Sequence, residues 1–145
     1  EAFGPEIVAE DGTIDRRVLG ELVFSDAVAL RRLESLVHPP VIREIERRME
    51  ESDAPVVVVE AIKLLESGMA ETYEAIWVTV CAPETQLSRL MRDRGLSRKA
   101  ALQRIHAQPP QAEKVAQADV VITTEGTLDE TRAQVEQAWA AMTRL

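Results

Sequence analysis

Five arginines fall within sixteen residues of this sequence: Arg89, Arg92, Arg94, Arg98 and Arg104. A guanidinium stays charged at every physiological pH and offers a planar fork of donors that matches a phosphate or a carboxylate. Arg89 and Arg92 lie three apart and share one face of a helix. Arg94 and Arg98 flank Gly95, and Arg104 follows on the next predicted helix. Such a concentration, in a chain whose net charge is -8, suits the binding of a small anionic ligand. An equally physical reading is a solvated face laced with helix ion pairs, Arg89 with Asp93 for example. Composition and spacing leave both readings open.

Other chemistry-bearing residues are sparse. Glu60 follows the run Val56-Val57-Val58-Val59 and so sits at the carboxyl end of a predicted parallel strand, where α/β proteins place ligands. His38 stands before Pro39-Pro40, where it shapes a helix break or lines a cleft. His106 reads as exposed and incidental. The lone cysteine, Cys81, ends a strand-like run and reads as a packing residue. It excludes an internal disulfide framework and points to a reducing compartment, hence a cytoplasmic location. No paired His/Cys spacing marks a metal site.

The elements that must position these residues follow from pattern. Asp11-Gly12 marks a turn. Val18, Leu19, Leu22 and Val23 give a first helix, and Ser25 or Asp26 caps a second. His38-Pro39-Pro40 predicts a break, with Pro40 opening a third helical segment. The Val56–Val59 run predicts a strand buried on both faces. Ile76–Cys81 predicts a second strand and Val120–Ile122 a third. Pro83 opens a helix that Gly95 stops. Ser97 caps the next, which ends before Pro109-Pro110. Thr127-Leu128-Asp129-Glu130 has the form of a capping box for the last helix. Strands joined by long helical connections imply an α/β fold with a parallel sheet flanked by helices. Three strands are few for such a sheet, which predicts an incomplete N-terminus and open edges.

The bulk properties set outer bounds. One domain or most of one fits in 145 residues. The chain is 46% hydrophobic but only 3% aromatic, so its core must rest on aliphatic side chains. An acidic body repels nucleic-acid backbones, so no nucleic-acid partner is expected. No run of roughly 18 apolar residues is present, so no membrane helix is expected.

Larger blocks of the sequence resemble the dephospho-coenzyme A kinases. Pro83-Glu84-Thr85-Gln86-Leu87-Ser88-Arg89-Leu90, then Arg92-Asp93-Arg94-Gly95-Leu96-Ser97, is similar to the lid of that family. Arg104-Ile105 with Gln108, then Lys114, Ala118-Asp119-Val120-Val121-Ile122 and Gly126, continue the pattern. Upstream, Phe3-Gly4, Asp11-Gly12, Arg16 with Leu19, Phe24, Leu33 and His38-Pro39 resemble the family's helical substrate-binding region. The resemblance implies a P-loop kinase fold with four parts: a dephospho-CoA-binding region over 1–55, core strands over 56–82, a lid over 83–117, and a last strand and helix over 118–145. It implies transfer of the ATP γ-phosphoryl group to the ribose 3'-hydroxyl of dephospho-CoA, with magnesium accompanying ATP. It implies catalytic roles for Arg89, Arg92, Arg94 and Arg104, substrate contacts from His38, Glu60, Lys63 and Gln108, and a nucleotide contact at Gly126.

Three departures qualify the resemblance. The family's phosphate loop, G-x-x-x-x-G-K-[ST], has no match in these 145 residues. Neither does the acidic motif that follows it; both are expected before Glu1. Where the family usually has Asp-x-Pro-Leu-Leu-x-Glu, this chain has Glu60-Ala61-Ile62-Lys63-Leu64-Leu65-Glu66. Lys63 there either contacts phosphate or pairs with Glu60 or Glu66. Thr123-Thr124 stands where relatives often have Asp-Asn, in a loop that borders the family's adenine site. Two alternatives follow: a non-catalytic protein that binds coenzyme A or a partner, and another small-molecule P-loop kinase of the nucleoside-monophosphate type. Open strand edges also predict self-association.

Overall fold

A computed structural model describes residues 2–142. The chain divides into two compact units, the first ending at Ser67 and the second beginning at Gly68.

The first unit is built on two helices. A short 3-10 turn at Pro5–Ile7 precedes an antiparallel bridge between Val8 and Ile14. The chain reverses at Asp11-Gly12, where Gly12 takes φ 81 and Asp11 accepts from the Thr13 amide at 2.9 Å. α1 (Arg16–Ser25) begins at Asp15, whose carboxylate takes the Arg17 and Val18 amides. α2 (Ala27–Glu50) begins at Asp26, which accepts from Val28 N at 2.8 Å. These side chains satisfy donors that no helix can satisfy for itself. α1 packs on α2 and on the 3-10 turn, and Ile7 and Val23 are buried.

Two expectations are corrected here. The helix does not break at His38-Pro39-Pro40, and no third helix opens at Pro40: α2 runs through both prolines. Prolines at 39 and 40 remove donors for the carbonyls of Ser35 and Leu36. Both residues are exposed, so their carbonyls are open to water in place of the missing donors. Ion pairs of Glu44 with Arg47 and Arg48 brace the following turns. Nor does Val56–Val59 form a strand. Val58 is 81% exposed and Val56 and Val57 are nearly half so. Strand propensity is realised only against a neighbour, and no described strand lies along this run.

The second unit carries the sheet. β1 (Trp77–Val80) and β2 (Val120–Thr123) pair in parallel with Trp77 opposite Val120 and Val80 opposite Thr123. Parallel neighbours need a long crossover, supplied by α3 (Pro83–Arg94), α4 (Arg98–His106) and α5 (Gln111–Val115). Gly95 ends α3 in the left-handed region at φ 60. Ser97 caps α4, accepting from Ala100 N at 3.2 Å. α6 (Leu128–Met142) opens on the expected capping box: Glu130 accepts the Thr127 amide at 2.7 Å and Thr127 Oγ1 accepts the Glu130 amide at 3.2 Å. Met69, Ile76, Ala101 and Ile122 form the buried centre.

The pairing is pinned at its start. Asp119 accepts from Ile76 N through Oδ2 at 2.7 Å, while its own amide donates to Ile76 O at 2.9 Å. On the other side of β2, the Gln134 amide of α6 spans Thr123, accepting from its N–H at 3.0 Å and donating to its C=O at 2.9 Å. A side chain thus stands in for a neighbouring strand and blunts that end of the edge. Replacing Asp119 with Ala should lower stability by about 1 kcal/mol, a melting shift on the order of 5 °C. Asp119→Asn, which keeps an acceptor, should lose less. Thermal melts followed by circular dichroism check both.

Candidate functional site

α3 places Arg89 against the loop that follows β2. Its Nη1 donates to Thr124 Oγ1 at 2.8 Å and its Nη2 donates to the Thr124 carbonyl. The expected Arg89–Asp93 pair does not form. Asp93 is taken by its neighbour Arg92, with Nε–Oδ1 at 2.6 Å and Nη2–Oδ2 at 2.9 Å. The half-buried Arg89 finds a carbonyl and a hydroxyl nearer its fork than the exposed end of α3.

The loop answers this contact. Glu125 accepts from the Ala82 amide and from Thr85 Oγ1, the latter at 3.0 Å. α3 has no side-chain cap of its own at Ala82, so a carboxylate 43 residues away in sequence sits at its positive end. The Ala82 N–H, the Thr85 hydroxyl and the Arg89 charge hold the Glu125 carboxyl below the usual carboxylate range. Gly126 follows directly. A Cβ built there would meet the Glu130 carboxylate.

Arg92 and Arg94 lie exposed at the end of α3. The Arg92 contact, then the charges of Arg92, Arg89 and Arg94, hold the Asp93 carboxyl below its ordinary value. Arg104 is half-buried on α4, with Nη1 donating to the Ala100 carbonyl at 3.2 Å. Gln108 lies past the end of α4 and accepts from Lys114 Nζ at 3.0 Å, across the Pro109-Pro110 turn. The first unit holds a separate set. His38 is half-buried on α2 and Glu60 is exposed. Lys63 pairs with neither Glu60 nor Glu66: its Nζ lies 3.2 Å from Glu34 Oε1 of α2, with both side chains about one quarter exposed.

Among the described residues no group of three or more His, Cys, Asp or Glu side chains could hold a metal. No helix of the described residues is long and apolar enough to cross a membrane. Two shallow depressions each lie on a single helix face, one at Pro40, Val41 and Glu44 and one at Glu84, Leu87 and Met91.

A family model described as dephospho-CoA kinase matches residues 1–130. The chain belongs to the dephospho-CoA kinase family. A dephospho-CoA kinase of Geobacter sulfurreducens is 42% identical over 142 residues, covering 96% of this chain and 72% of that protein. One of Symbiobacterium thermophilum is 44% identical over 142 residues, covering 96% of this chain and 59% of that protein. A solved structure from Thermus thermophilus superposes with a TM-score of 0.72 at 34% identity, over 94% of this chain and 71% of that one. The dephospho-CoA kinase of Campylobacter jejuni gives a TM-score of 0.62 at 27% identity, over 98% of this chain and 72% of that one. The α/β fold is that of these kinases, and the family is one of transferases that bind nucleotides.

Sequence reasoning missed four members of these constellations: Glu125, Thr85, Gln134 and Glu34. Of these, Glu125 alone had a local signal, its place beside Gly126; the partners of all four lie on other elements. Because the folded Glu125 carboxyl is depressed, its contribution to stability is complete above the unfolded value and is lost as pH falls through the folded one. A side-chain NMR titration should show a Glu125 midpoint below that of an exposed glutamate. The midpoint should move back toward the ordinary value in Thr85→Val.

Proposed function

We propose that these residues form the acceptor-binding and lid parts of a dephospho-CoA kinase that phosphorylates the ribose 3'-hydroxyl of dephospho-CoA at the expense of ATP, the last step of coenzyme A synthesis. The match to the family over residues 1–130 carries this reading. In the reaction the 3'-oxygen bonds to the γ-phosphorus as the bond from that phosphorus to its bridging oxygen breaks. ADP departs with the electron pair, and the hydroxyl proton passes to a base. Little covalent chemistry falls to the protein, which positions the groups and neutralises charge on the moving phosphoryl.

Residues 83–117 act as the lid, closing Arg92, Arg94 and Arg104 over the phosphates and excluding water. Arg89 stands in the first half of the same helix. Residues 1–55 with His38, Glu60 and Lys63 bind dephospho-CoA, and Gln108 orders the lid through Lys114. Gly126 lets nucleotide approach the loop after β2. Magnesium accompanies ATP. The site of action is the cytoplasm.

The 145-residue chain by itself should not turn over. It contains no glycine-rich loop whose amides would cradle the β- and γ-phosphates. Incubation with dephospho-CoA and magnesium-ATP should give no coenzyme A above a no-protein control. The same chain should bind dephospho-CoA in calorimetry in preference to AMP or UMP. Binding of a nucleoside monophosphate in preference would replace this reading with the nucleoside-monophosphate type.

The exposed Val56–Val58 run and the outer edge of β1 further support association between copies of this chain. Sedimentation at high micromolar concentration should show species larger than a monomer; a single stable monomer would count against it.

A further inference from the structure

We propose that Arg89 is a positioning residue, one that fixes the loop after β2 for nucleotide recognition rather than contacting the transferred phosphate. The loop follows the carboxyl end of β2, next to the carboxyl end of its parallel neighbour β1, the end of a sheet at which α/β proteins bind ligands.

Every polar group of Thr124 is committed. Its amide donates to Val80 O at 2.9 Å and its hydroxyl donates to the same oxygen at 3.1 Å. Its hydroxyl and carbonyl oxygens then accept the two Nη groups of Arg89. Residues on either side are held as well. Gln134 spans the peptide groups of Thr123, Glu125 reaches the start of α3, and Thr127 is closed by Glu130. The peptide groups of Glu125 and Gly126 are the part of the loop that these contacts leave for a ligand.

Two of the five N–H donors of the half-buried guanidinium, one on each Nη, are held by Thr124, so turning that fork onto a phosphate would break two charge-assisted bonds. Arg94, exposed at the far end of α3, carries no such cost. The two kinds of role also make different demands on the side chain. Neutralising a phosphate needs a charge, which lysine supplies. Bridging a hydroxyl and a carbonyl with two parallel donors needs the rigid fork, which lysine lacks.

The inference rests on the kinase reading in one respect, that the ligand is an adenine nucleotide. The test titrates ATP into the 15N-labelled 145-residue chain and follows the amides of Glu125 and Gly126. In the wild-type chain these amides should shift and saturate. Arg89→Lys should weaken ATP by about tenfold, as much as Arg89→Ala does. A lysine variant that binds like wild type while the alanine variant fails would show that charge suffices and overturn the assignment. Unchanged affinity in both variants would overturn it equally.

Should the Arg89 variants unfold, Thr124→Ser and Thr124→Val read the same contact without altering α3. The serine variant should bind as wild type and the valine variant more weakly; wild-type affinity in the valine variant would overturn the proposal. Absence of any ATP-dependent shift in the wild-type chain would overturn it as well. That result would leave the kinase reading to the separate dephospho-CoA calorimetry.

Discussion

The second unit depends on holding two four-residue strands in parallel register across a crossover of some forty residues. A parallel pair of this length has few ladder bonds of its own, and parallel pairing is weaker per residue than antiparallel. Side chains make up the difference. Asp119 secures the start of the pair on the Ile76 amide. At the far end Thr124 closes on Val80, and Arg89 closes on Thr124. Gln134 occupies the backbone of Thr123. Buried Ile76 and Ile122 lie in the same span.

The same contacts that hold the strands also shape the candidate site. Arg89 and Glu125 exchange places: the helix gives a cation to the loop, and the loop gives an anion to the helix start. This reciprocity uses the helix macrodipole, since Glu125 lies where the first amides of α3 have no internal partners. The first half of α3 and the loop after β2 are thereby tied together. The far end of α3 is different in character. Arg92 and Arg94 are exposed at the glycine turn, and beyond it Arg98 begins a new helix.

The first unit shows how context overrides local signals. Two adjacent prolines do not interrupt α2, because the carbonyls they leave without donors belong to exposed residues. Four consecutive valines form no strand, because no described strand lies beside them to complete a ladder. Lys63 takes Glu34 rather than the nearer acids in sequence, because helix packing brings α2 to it. Each outcome turns on which groups the fold makes neighbours, which is not a local property.

The sequence by itself determined several helix ends and the family. Asp26, Ser97 and Thr127 cap helices through bonds that span two or three residues, and Gly95 stops α3 by taking a left-handed φ, so their effect is legible from local sequence alone. The arginine blocks and the Ala118-Asp119 segment likewise carried the resemblance that the family match bears out. Tertiary structure alone decided what those arginines do. Asp93 was available to Arg89 by helical spacing, yet Arg89 took Thr124 from 35 residues away and left Asp93 to Arg92. A guanidinium commits to whichever acceptors the fold presents in fork geometry with least access to water, and spacing along one helix cannot specify them.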